Sequence, residues 1–267
     1  MIPVGDSVRS RTTPYVNVTI IVVSILVFLY ELTLSDLPNM FFPALPQLGF
    51  FSERFIFFAD WGSTPACLTD RFGFSPETDP HALQALCPDS ERTLLTPFTA
   101  MFIHGSFLHL IGNMIFLWVF GDNVEDAMGH LRYALFYAVV GLAATSAHVA
   151  VNQSDLVPAI GASGAIAGVL GAYLVRYPRA TVSAILPIFL FVWIPLRMPA
   201  VVLIGIWFLL QLFSGVSALT AREVVGAGGV AWFAHIGGFV AGLILVKFFL
   251  VGRSPPRAPR LAISRRW

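Results

Sequence analysis

Apolar residues run almost unbroken through six stretches of this chain, separated by short polar breaks and one long one. The stretches lie near Val16–Leu34, Gly105–Gly121, Leu131–Val151, Ala159–Val175, Pro199–Gly215 and Val230–Val251. A helix needs roughly 17–25 residues to cross a hydrocarbon core of about 30 Å, so the pattern predicts six transmembrane helices. A seventh apolar run, Ile185–Pro195, is shorter and bracketed by Pro187 and Pro195. It reads as an interfacial or re-entrant segment rather than a span, because it is too short to cross and prolines break a helix.

Composition agrees with the pattern. The 267 residues are 57% hydrophobic and 12% charged, with a mean hydropathy of +0.78. Those values exclude an ordinary soluble domain and place the chain among all-α polytopic membrane proteins. The first apolar run lacks a small-residue cleavage site and is followed by further spans, so no cleavable leader is expected. The basic residues set the orientation. Six spans put Arg9, Arg11, Arg132, Arg176, Arg179, Arg197, Lys247, Arg253, Arg257, Arg260, Arg265 and Arg266 on one side. Only Arg54, Arg71, Arg92 and Arg222 fall on the other. Both termini are therefore expected in the cytoplasm, and a seventh span would place the arginine-rich tail outside, against the rule. The net charge of +1 gives no reason to expect a nucleic-acid partner; the lipid bilayer is the expected surrounding.

The chain divides into a cytoplasmic segment 1–15, a six-span domain 16–251 and a basic tail 252–267, whose Pro/Arg-rich composition predicts disorder. The long connection 35–96 is expected on the outer side. It holds most of the acidic residues and a set of aromatics, Phe41, Phe42, Phe50, Phe51, Phe55, Phe57, Phe58 and Trp61. A loop this long has a function or its own structure, and its aromatics suit the headgroup region. Cys67 and Cys87 both fall here. On an oxidising outer face they either pair as a disulfide or stay free thiols, and the spacing leaves both open.

Polar residues within the spans are few and grouped. Span two carries His109 and Asn113 on one helix face, span four carries Ser163 in Gly161-Ala162-Ser163-Gly164, and span six carries His235. These three spans run in the same direction, so parity alone brings the four residues to one depth near the outer surface. An ionisable side chain in a span marks a functional site by default. Gly164, Gly168 and Ala172 in span four, with Gly238 and Gly242 in span six, form small-xxx-small faces that let helices approach closely. A serine facing a histidine is the material of acyl transfer: His235 takes the proton and Ser163 attacks a peptide carbonyl. Free N–H groups at the start of span four, with Asn113 and His109, would hold the oxyanion. No acidic residue lies in spans four or six, so a Ser-His dyad is expected rather than a triad. His104, His109 and Asn113 lack the carboxylate or thiol support of a metal site, so no metal is expected. His148, near the outer end of span three, reads as a structural histidine.

The stretch from His104 through His109 to Asn113, the Gly161-Ala162-Ser163-Gly164 motif, and Ala234-His235 followed by Gly237, Gly238 and Gly242 together resemble rhomboid intramembrane serine proteases of the bacterial six-span type. The resemblance implies Ser163 as nucleophile and His235 as general base, with Asn113, His109 and the Ser163 N–H lining the oxyanion hole. It implies substrates that are transmembrane segments of other membrane proteins, no cofactor, and a bacterial inner (cell) membrane location. Connection 35–96 would match the family's membrane-embedded loop, and span five with 214–229 the gate through which a substrate helix enters. Two positions depart from the family pattern. Glu91-Arg92 replaces a Trp-Arg pair, and Ala167 stands where some members carry an aromatic packed on the histidine. Two other classes remain: a catalytically inactive rhomboid-like helix-binding chaperone or adaptor, and a transporter, which would want a coupling charge at mid-membrane depth.

Overall fold

The structure, a computed structural model, describes residues 1–36, 52–74, 78–87, 89–189, 192–220 and 231–253. Its order is a strand β1 (Ile2–Asp6), helix α1 (Tyr15–Glu31), four helices α2 (Glu53–Trp61), α3 (Pro65–Arg71), α4 (Pro80–Leu86) and α5 (Ser90–Thr99), then α6 (Phe107–Phe116) and α7 (Asp122–Met128) joined through a wide π turn at Leu117–Gly121. Then come α8 (His130–Val151), α9 (Ser163–Arg176), strands β2 (Thr181–Phe189) and β3 (Val192–Pro199), α10 (Ala200–Thr220) and α11 (Trp232–Phe249). The chain is a mostly helical, multi-pass membrane protein. Among the described residues, four helices are long and apolar enough to cross a membrane: Phe107–Met128, His130–Val151, Ala200–Ser217 and Trp232–Phe249. Tyr15–Glu31 and Ser163–Arg176 are apolar but shorter.

The fourth apolar stretch differs from its expected bounds for a visible reason. Ala159 exchanges backbone hydrogen bonds with Ser63, and Gly161 has φ +120°, a conformation that favours glycine. Helix α9 therefore begins at Ser163 rather than near Ala159, and its 14 residues rise only about 21 Å. Its serine end is recessed relative to α8, because Gly164 packs against Ala144 while α8 runs on to Val151. Every residue of α9 from Gly164 to Tyr173 is buried, so it is the helix the others wrap.

Small residues set how closely they wrap it. A Cβ built on Gly242 of α11 would lie 2.7 Å from both Gly168 Cα and C, and one built on Gly164 would lie 2.7 Å from Ala144 Cβ of α8. At such separations only glycine fits, and the backbones of α9 and α11 touch directly.

α1 is fastened by side chains remote in sequence. Glu125 accepts from the N–H groups of Val16 (3.0 Å) and Asn17 (2.7 Å), capping a helix whose preceding Pro14 offers no side-chain cap. A π turn frees a backbone carbonyl; here Asn17 Nδ2 donates to Leu117 O at 3.0 Å, while Tyr133 donates its hydroxyl to Asn17 Oδ1 at 2.8 Å.

The short apolar run between spans four and five is an antiparallel hairpin, β2–β3, whose register pairs Thr181 with Pro199 and Ile185 with Pro195. β1 adds to it antiparallel, with Ile2 opposite Ile185, giving the order β1-β2-β3. The sheet lies at the end of α9 opposite Ser163. There Asp6 accepts from Val8 N, from Asn123 Nδ2 (3.0 Å) and from the Tyr173 hydroxyl. Burial, with the Asp122 charge adding to it, raises the Asp6 carboxyl to about 6.

The described parts of the connection 35–96 are folded and tied together. Caps from Ser52, Asp79 and Asp89 start α2, α4 and α5, and Cys67 and Cys87 are bonded as a disulfide. Arg92 lies over the Trp61 ring at 5.3 Å and 3.7 Å from Asp60, which ties α5 to α2. Phe55, Phe57, Phe58 and Trp61 lie on α2 and are partly buried; Phe41, Phe42, Phe50 and Phe51 lie outside the described residues, as do 221–230 and the tail beyond 253. Ser214–Thr220, expected as loop, continue α10.

Candidate active site

Ser163 is the first residue of α9, and His235 lies in the first turn of α11. The glycine contacts between those helices bring the two side chains together: His235 Nε2 sits 2.7 Å from Ser163 Oγ. His235 is buried to 7% exposure. On its other ring nitrogen, Nδ1 lies 2.6 Å from Gln211 Oε1 of α10. Trp207, one turn earlier on α10, holds its ring 6.0 Å from the imidazole, and Trp232 holds its ring 6.3 Å away, edge to face. These tryptophans surround the imidazole where Ala167 offers only a methyl group.

His109 and Asn113 reach the same place from α6. Ser106 starts that helix by accepting from His109 N at 3.2 Å, which puts His109 in the first turn. A Cβ on Gly161 would lie 2.6 Å from His109 Nε2 and 3.7 Å from Asn113 Nδ2. Both side chains thus border the turn that leads into Ser163. Asn113 is 8% exposed, and its Nδ2 is buried with no partner among the described residues. The N–H groups of Ser163 and Gly164 open α9 with no side-chain cap from Ala162. Free N–H groups at the start of α9 and the Asn113 amide beside Gly161 are the kind of donors that suit a developing oxyanion.

The turn is held from outside the bundle. Gly161 N donates to Ala100 O at 2.8 Å, Ala66 N donates to Asp155 O at 3.0 Å, and Thr69 Oγ1 donates to Gln153 O at 2.8 Å. The loop between α8 and α9 is thereby stitched to α3 and to the turn before α6. Glu31, at the end of α1, accepts from His104 N at 3.1 Å. A narrow cleft behind the serine is bordered by Ser63, Met101, Thr145, His148 and Ala234.

His104 lies with its ring 5.1 Å from that of His109. Among the described residues no group of three metal-ligating side chains converges. His148 Nδ1 sits 3.2 Å from Asn152 Nδ2 at the end of its own helix. The contact that sequence reasoning missed is Gln211. It is a solitary carboxamide in the apolar run of span five, and that isolation was the available signal.

The family model described as the rhomboid domain matches residues 91–252. RHOMBOID-like protein 5 of Arabidopsis thaliana is 35% identical over 89 residues, which are 33% of this chain and 28% of that protein. Rhomboid protein 1, mitochondrial, of Saccharomyces cerevisiae is 28% identical over 170 residues, 62% of this chain and 45% of that one. Presenilin-associated rhomboid-like protein A, mitochondrial, of Danio rerio is 29% identical over 101 residues, 37% and 26% respectively. The chain spans less than half the length of each of these relatives.

Proposed function

Taking as premise that the chain belongs to the rhomboid family, we propose that it is an intramembrane serine endopeptidase working through a Ser163–His235 dyad. The observation that carries the reading is the 2.7 Å approach of His235 Nε2 to Ser163 Oγ at the recessed start of a buried helix. His235 removes the hydroxyl proton as Ser163 Oγ attacks the scissile carbonyl, and the carbonyl π electrons move to oxygen. That oxyanion is met by the N–H of Ser163 and Nδ2 of Asn113, with His109 beside it. The C–N bond then breaks, the protonated imidazole gives its proton to the leaving amine, and an acyl-serine remains. Water attacks this ester with His235 again as base, releasing the acid and restoring Ser163.

The substrate class is the transmembrane segment of another membrane protein. A serine within the bundle reaches a peptide bond only if the substrate helix enters locally unwound. The proposed setting is a six-span topology in a bacterial-type inner membrane. The twelve-to-four division of Lys and Arg supports cytoplasmic termini, and a disulfide in the 35–96 connection suits an oxidising outer face. The dyad needs no cofactor for this chemistry.

The test is covalent labelling by a fluorophosphonate of the detergent-solubilised protein, with Ser163→Ala as control, alongside cleavage of a single-span reporter in proteoliposomes. Labelling and cleavage lost in Ser163→Ala are expected. A wild-type protein that binds the reporter but neither labels nor cleaves overturns the protease reading in favour of a helix-binding adaptor.

A further inference from the structure

We propose that Gln211 is the positioning residue for the base, taking the place that a carboxylate holds in a Ser-His-Asp triad. The inference deepens the protease reading and rests on it. Imidazole can act on Ser163 only when Nε2 carries a lone pair and the ring proton sits on Nδ1. The Gln211 carbonyl oxygen, 2.6 Å from Nδ1, accepts that proton's hydrogen bond and so selects the reactive tautomer while Nε2 faces Ser163 Oγ. The two contacts fix both ends of the ring. Spans four and six hold no acidic residue, and among the described residues the side chain in hydrogen-bond reach of Nδ1 is Gln211. The acceptor on Nδ1 is therefore a neutral amide.

The amide also comes from an informative helix. Gln211 and Trp207 are one turn apart on α10, and both face His235. α10 is a peripheral helix: Leu209, Leu210 and Phe213 are exposed, and a Cβ on its Gly205 would meet nothing within 4 Å. Gln211 makes the orientation of the base depend on where α10 sits, so displacing that helix withdraws the acceptor from Nδ1.

The experiment compares the rate of fluorophosphonate labelling across pH for wild type, Gln211→Met and Gln211→Glu in detergent, with thermal unfolding and reporter cleavage run in parallel. Methionine keeps the length of the side chain and removes the acceptor. A base contributes about 10²–10⁴-fold to such reactions, and losing only its positioning is expected to slow labelling about 10- to 100-fold. In cleavage, kcat falls and KM holds. Glutamate can only accept, so Gln211→Glu recovers most of the rate. Its acid limb moves to higher pH, because a carboxylate favours protonated imidazole. Unfolding midpoints of the variants stay near that of wild type. Gln211→Met labelling within about twofold of wild type overturns the proposal. So does equal slowing in both variants with an unshifted pH profile, which is the signature of packing alone. A wild type that does not label at all overturns the underlying protease reading instead.

Discussion

Adding one methyl group at Gly238 should disable the site without touching either reacting side chain. The Cβ of an alanine there would lie 3.0 Å from the carbonyl carbon of Gly164 and closer still to its oxygen. Both are backbone atoms, so no rotamer change relieves the overlap. Carbon atoms in comfortable contact sit about 3.5–4.0 Å apart, so α11 must withdraw from α9 by about 1 Å. Gly238 is one turn beyond His235, and Gly164 adjoins Ser163. The withdrawal therefore acts on the 2.7 Å Nε2–Oγ contact itself. A misplacement of about 1 Å costs on the order of 10²-fold in rate, and overpacking costs about 1–3 kcal/mol of stability. Fluorophosphonate labelling in detergent, run beside a thermal-unfolding curve, measures both. Gly205→Ala is the matched control, because its Cβ meets nothing within 4 Å; it should label as wild type and unfold no earlier. If Gly238→Ala labels at the wild-type rate with an unchanged midpoint, the backbone-contact argument is wrong.

Three further outcomes are expected. Gly161→Ala forces a side chain onto φ +120° and within 2.6 Å of His109 Nε2; labelling should fall by at least about tenfold, and a rate equal to wild type would refute the role given to that turn. Cys67→Ser with Cys87→Ser opens a bond closing a 20-residue separation; a loss of about 3 kcal/mol is expected, read as a lower unfolding midpoint and faster proteolytic nicking between 65 and 87. In the folded state the Asp6 carboxyl is raised to about 6, above its ordinary value of 3.8. Between those values the folded state holds the extra proton, so this group's contribution is greatest at low pH and is lost as pH rises through 6. Asp6→Asn should flatten the dependence of the unfolding midpoint on pH over that window, and an unaltered slope would remove Asp6 as its source.

Much of the helical layout was legible because apolar runs long enough to cross a bilayer have few alternative folds. Parity of direction was legible too, and it places Ser163, His235, His109 and Asn113 near one another before any side chain is seen. What stayed hidden depends on angles and crossings. The β2–β3 hairpin hides because prolines at 187 and 195 signal a break in a helix, while strand pairing with β1 joins residues as far apart as Ile2 and Ile185. The shortness of α9 hides because it follows from one backbone angle at Gly161. Gln211 hides because a carboxamide in an apolar run has no motif; only the crossing of α10 over α11 gives it a target. The caps from Glu125 and Glu31 hide for the same reason, since each acts on backbone N–H groups far away in sequence.

The fastening of α1 by Glu125 has a consequence for biogenesis. α1 leaves the ribosome well before its cap: the carboxylate that closes it is made 108 residues later, and β1 waits for β2 still longer. At synthesis rates of about 5–20 residues per second, the first helix spends roughly 5–20 s in the membrane with its leading N–H groups unpaired. β1 and α1 must be sheltered, by lipid headgroups or by insertion machinery, until Glu125 and β2 arrive. A nascent chain stalled before residue 181 would expose β1 as an open strand edge, the form in which unfinished proteins most readily find the wrong partner.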